Sequence, residues 1–95
     1  MPFYVALGKA TEEGKRHMDG MAGRHEAAVR RAEAAGGKVV ASYALLGPHD
    51  YMVILECPDH LTAIKILAKE AEGGNVTYET FGAVPMTEFA KAINE

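Results

Sequence analysis

The spacing of apolar and polar positions changes period several times along the chain, and each change marks an element. Residues 2–8 (PFYVALG) form a near-continuous run of β-type residues and predict a first strand. After Thr11, a suitable N-cap followed by Glu12 and Glu13 at the positive end of a helix dipole, the period lengthens. Met18, Met21, Ala22, Ala28, Val29, Ala32 and Ala35 then recur at helical spacing. Gly20 and Gly23 predict a kink or break near HMDGMAG, and Gly36-Gly37 predicts the end of the helix.

Residues 38–47 (KVVASYALLG) and 51–57 (YMVILEC) read as two strands joined by the turn residues GPHD. Asp59 is placed to cap a second helix, which carries Leu61, Ile64, Leu67, Ala68 and Ala71 on one face and closes at Gly73-Gly74. Residues 75–84 (NVTYETFGAV) predict a fourth strand, and MTEFAKAIN a short terminal helix with Thr87 as its cap. The order β-α-β-β-α-β plus a helical tail predicts an α+β, ferredoxin-like domain with a four-stranded antiparallel sheet spanning residues 1–95.

The strands raise a question of cover. Phe3, Val5 and Leu7 share one side of the first strand, and Tyr4, Ala6 and Gly8 the other. In the third, Tyr51, Val53 and Leu55 alternate with Met52 and Ile54. A sheet with one wet face should alternate apolar and polar residues, and these strands do not. Two helices on one face of a ferredoxin-like sheet leave the other apolar face open, which implies an interface. A second identical chain is the expected cover. The competing cover is the terminal helix with Phe89 and Ile93, but about eight residues would shield only part of four strands spaced at roughly 4.8 Å.

Composition narrows the function classes. Apolar residues make up 48% and charged residues 24% of the chain, ordinary values for a globular domain. A net charge of −3 with interspersed signs gives no electrostatic case for nucleic acid. No apolar run approaches the roughly 20 residues of a membrane helix. The start MPFYVALGKA lacks a basic leader and long apolar core, and Cys57 is the single cysteine, so a cytoplasmic location is expected.

The chain resembles the small GYD-domain family from end to end. The matching features are YVALG, TEEG, GGKV, LGPHDYMVILECPD and GNVTYETF, of which the hairpin motif is the most specific. In the family's Gly-Tyr-Asp signature, Gly47 and Asp50 keep their places while His49 takes the tyrosine position, so no role for that hydroxyl carries over. The resemblance implies a dimeric α/β-barrel assembly with two sheets packed face to face. Structural relatives of the family include cofactor-independent monooxygenases, small isomerases and ligand-sensing domains, so fold does not choose among them.

Candidate chemistry lies at a few positions. His49 and Asp50 are the candidate catalytic pair, because a carboxylate beside a histidine supports proton transfer near neutral pH. The weightier alternative is that Gly47 and Asp50 shape the turn by bonding the backbone. His17 and His25 are weak metal candidates, eight residues apart with no HxxxH or CxxC pattern; a hydrogen-bonded histidine is the better reading, and no metal or cofactor is expected. Cys57 lacks a local base and reads as a structural thiol. Tyr4, Tyr43, Tyr51 and Tyr78, with Glu79 or Thr80, either line a small-molecule pocket or pack tightly at an interface. Arg24, Arg30, Arg31 and Lys38 offer an anion site, against the more ordinary reading of a solvated helix face. Two functions follow: a homodimeric module binding a small apolar or aromatic metabolite in a cavity at the open sheet face, or a cofactor-independent monooxygenase or isomerase.

Overall fold

The computed structural model describes residues 1–95. Strand β1 (Phe3–Ala10) leads through α1 (Glu12–Lys15) and a 3-10 turn (Met18–Gly20) into α2 (Met21–Ala34). Then come β2 (Lys38–Ala44), β3 (Tyr51–Glu56), α3 (His60–Glu72), β4 (Val76–Ala83) and α4 (Met86–Asn94). The strands form one antiparallel sheet in the order β2-β3-β1-β4, as a split β-α-β pattern requires. The expected break falls at the 3-10 turn, where Gly20 weakens the helix. Both glycine pairs end helices through a left-handed residue, Gly36 at φ 93° and Gly74 at φ 79°.

Two of the three expected caps form. Thr11 Oγ accepts from Gly14 N at 3.0 Å, and Asp59 Oδ1 accepts from Thr62 N at 2.8 Å. The two bonds from Thr62, through backbone and hydroxyl, hold the Asp59 carboxyl below its ordinary pKa. The third cap moves: α4 begins after Pro85, and Thr87 lies inside the helix, because proline's fixed φ already sets up the first turn. Gly14 lets α1 sit directly on the loop before β4. A Cβ there would come within 2.1 Å of the Asn75 carbonyl oxygen, which itself accepts from Thr11 N.

Strand register decides what each face carries. Tyr4, Ala6 and Gly8 lie on the helix side with Leu55, Val53 and Tyr51 of β3. That side holds the core of Tyr4, Ala6, Ala32, Leu55, Cys57, Ala63, Ile66 and Leu67. Val5 and Leu7 face the other way, level with Ile54, Met52 and Phe81. No helix covers this second face: Phe81 is 50% and Tyr43 55% exposed. The terminal helix does not serve as its lid. Every residue of α4 is exposed, with Phe89 at 51% and Ile93 at 66%. The molecule is correspondingly extended, with a radius of gyration of 14.2 Å against about 12.4 Å for a compact domain of this length.

Candidate functional site

A cavity of about 540 Å3 lies between the two long helices and the sheet. It exists because the residues around it are small or splayed apart. Helix α2 presents Met21, His25, Ala28 and Val29 along one stripe, while β2 contributes Ser42 and Ala44. The short Ala28, Ser42 and Ala44 among them leave a space that a close-packed interior would fill. At the far wall α3 supplies Ile66, Leu67 and Glu70. The helices are tied across it by Arg31, whose Nε and Nη2 donate to the two oxygens of Glu70 at 2.8 Å each. That paired geometry raises the Arg31 pKa further.

The four tyrosines separate. Tyr51 and Tyr78 line the cavity; Tyr43 borders its rim, but its register opposite Met52 puts its side chain on the open face. Tyr4 does not line the cavity: it is buried in the core and shares a hydrogen bond with His60 Nδ1, its ring edge-on to the imidazole. Tyr51 and Tyr78 both sit opposite Gly8 in the register, one from each neighbouring strand. A Cβ on Gly8 would stand 2.8 Å from the Tyr78 ring, so the glycine makes room for it. Burial, then Glu70 and Tyr51, push the Tyr78 pKa up and keep its hydroxyl protonated at neutral pH. Tyr51 also donates to Met18 Sδ at 3.5 Å, which ties the 3-10 turn to the start of β3. The location expected from the sequence was the open sheet face; within one chain the cavity lies on the helix side, because register turns Tyr51 and Tyr78 inward.

His49 and Asp50 do not pair with each other. Asp50 Oδ2 accepts from Ala10 N at 2.8 Å, Asp50 N donates to Gly8 O at 2.8 Å, and Asp50 O accepts from Leu45 N at 2.8 Å. The residue thus closes the turn and stitches it to the end of β1. His49 Nε2 instead meets Glu79 Oε1 at 2.8 Å on the outer surface, away from the cavity-lining tyrosines. Glu79 therefore lies outside the cavity, level with Leu7 on the other face. Thr80 faces the helices beside Ala6 but is not part of the cavity wall.

The helical histidines separate as well. His17 Nδ1 lies 2.8 Å from the Glu13 carbonyl oxygen, and His25 lines the cavity. No three histidine, cysteine or carboxylate groups gather closely enough to hold a metal ion. Cys57 is fully buried, and burial followed by the nearby Asp59 pushes its thiol pKa up, away from the reactive thiolate. No helix is long and apolar enough to cross a membrane.

Sequence reasoning passed over two cavity features, Asn75 and the Arg31–Glu70 tie, and set Arg24 aside as a solvated charge. The signal for Arg24 was present: it stands three residues after Met21 and four before Ala28, on the stripe that faces the sheet. Glu70 and Asn75 gave no such signal, since only the meeting of α2 with α3 and β4 brings them to the cavity.

Known proteins of similar sequence and shape fit this architecture. A Thermus thermophilus protein described as a glutamine synthetase and cystathionine beta-lyase binding protein is 29% identical over 89 residues, covering 93% of this chain and 94% of its own. Among solved structures, MtbAldR superposes with a TM-score of 0.61 at 10% identity over 87% of this chain; the present chain spans about half, 51%, of that protein. TTHA0845, also from Thermus thermophilus, superposes with a TM-score of 0.56 at 16% identity, over 88% of this chain and 94% of that one. At such identities the structural likeness carries the fold alone. The family itself rests on sequence, for the GYD domain matches residues 4–93, nearly the whole length, and the chain belongs to the GYD-domain family.

Proposed function

We propose that this GYD-domain protein is a homodimeric small-molecule-binding module. The observation that carries the binding role is the cavity of about 540 Å3 walled mostly by apolar side chains, with Tyr51 and Tyr78 facing into it. Sites for small ligands are of this size and make-up, with a few polar groups that fix orientation. His49 and Asp50, the residues proposed for proton transfer, are engaged with Glu79 and with the backbone of β1, which favours binding over catalysis. Titration of the protein with small aromatic metabolites, followed by amide chemical shifts, tests the reading. Shifts at Met21, Val29, Tyr51 and Tyr78 support it, and shifts confined to the open sheet face would overturn it.

The dimer rests on the open face. The chain exposes 6395 Å2, whereas about 5,300 Å2 is usual for a folded monomer of this mass. That surplus exceeds the roughly 800 Å2 that each partner contributes to a standard interface. Burying one valine, leucine or isoleucine is worth about 1.5–3 kcal/mol, and Val5, Leu7 and Ile54 stand together there. A second copy of the chain, laid sheet to sheet, is the cover.

A second reading, docking on a larger protein, is favoured by α4. Its exposed Met86, Phe89 and Ile93 form an amphipathic stripe with no partner in the chain. The Thermus relative is described as binding two enzymes, which supports such a role here. Pull-down by the full chain that survives loss of Phe89 and Ile93 side chains would count against it.

A further inference from the structure

The cavity carries an unbalanced charge. Its wall holds three cations, Arg24, Arg31 and Lys69, and two anions, Glu70 and Glu72. Arg31 is taken up by Glu70 at 2.8 Å, and Lys69 lies 3.3 Å from Glu72. Of the three, Arg24 alone has no carboxylate partner anywhere in the chain. The chain as a whole is acidic, at −3, so a cationic wall is a local property of this cavity.

Arg24 is also held in place. Its Nη1 donates to the His17 carbonyl at 2.7 Å, which pins the guanidinium at the start of α2. Its Nη2 is shielded from water and has no acceptor. The other shielded side-chain atom without a partner is Asn75 Oδ1, and Asn75 lines the same cavity. Two polar atoms left without partners thus belong to residues of one cavity wall, and the guanidinium among them has no counter-ion. A guanidinium answers best to a carboxylate, whose two oxygens match its fork of donors.

We infer that the cavity takes small apolar or aromatic monocarboxylates, with Arg24 holding the carboxylate and the tyrosine-lined apolar wall holding the remainder. This rests on the binding role proposed above and names the chemical class of ligand. The ring or alkyl body packs near Tyr51, Tyr78 and Val29, and a hydroxyl or amino group on it satisfies Asn75 Oδ1. Dicarboxylates and phosphate esters fit poorly, because one unpaired cation leaves a second negative charge beside Glu70 and Glu72.

The test is a calorimetric and chemical-shift titration of the full-length protein. The probes are benzoate, phenylacetate, 4-hydroxyphenylacetate and hexanoate, each against its uncharged primary amide. The expected result is that at least one acid binds about tenfold or more tightly than its amide, with shifts at Met21–Val29 and Tyr51. Arg24→Gln should remove that preference while the amide binds as before. Glu70→Gln frees the charge of Arg31 in the same wall and should tighten acid binding, a gain that a misfolded variant cannot produce. Acids and amides binding the cavity equally, or an acid preference untouched by Arg24→Gln and Glu70→Gln, would overturn the carboxylate inference and leave the binding role standing. If neither acids nor amides shift the cavity resonances, the binding role falls with it.

Discussion

Asp50 gives the sharpest separation between a turn residue and a working one. Its side chain has one partner in the chain, the Ala10 amide at 2.8 Å, and that bond is partly buried between β1 and the β2–β3 turn. Asp50→Ala leaves the backbone bonds of Asp50 to Gly8 and Leu45 in place but orphans the Ala10 N–H. An unsatisfied, partly shielded donor costs about 1–3 kcal/mol. In a domain of this length each kcal/mol lowers the melting temperature by roughly 4–8 °C, so the variant should melt at least about 5 °C below the parent. Asp50→Asn keeps an amide oxygen in position to accept from Ala10 and should recover most of the loss. His49→Ala removes only a pair with a well-exposed Glu79 and should cost well under about 1 kcal/mol. Thermal melts of the three variants, followed by circular dichroism, decide the matter. An Asp50→Ala protein that melts with the parent yet loses ligand affinity or activity would refute the structural reasoning and restore the functional reading of the residue.

Three further outcomes are expected. Asp59 has a depressed pKa, so its cap stabilises α3 above the ordinary carboxyl value of 3.8 and is lost as pH falls through the lower folded value; the melting gap between parent and Asp59→Ala should therefore be full at neutral pH and close in acid. Gly8→Ala drives a methyl to within 2.8 Å of the Tyr78 ring and should destabilise by about 1–3 kcal/mol, with part recovered by Tyr78→Val, read in urea melts. If the proposed dimer forms through the open face, Ile54→Glu, placed on that face opposite Val5, should sediment as a folded monomer where the parent sediments as a dimer.

Much of this fold is legible in the sequence because local signals and the global topology agree. The glycine pairs at 36–37 and 73–74, the caps at Thr11 and Asp59, and the lack of polar alternation in YMVILEC each state their structural role directly. The cavity is less legible. Period-two alternation divides Tyr4 from Val5, but it does not say which half faces the helices. It also does not say that Tyr4 would share a hydrogen bond with His60, fifty-six residues away. His49 and Asp50 adjoin in sequence yet find partners on different strands, since successive residues near a strand end point apart. Arg24 was visible as a charge on the stripe of α2, but its lack of a counter-ion depends on which carboxylates α3 brings near. Local pattern fixes elements; pairings made at long range decide the site.

The proposed dimer rests on the open apolar face, and the mass of the protein in solution tests it most directly. Light scattering on the eluting protein at micromolar concentration should give twice the 10.2 kDa of one chain, unchanged on dilution within that range. A mass of 10.2 kDa that persists as the concentration is raised, with no binding of a dye that reports apolar surface, would contradict the account.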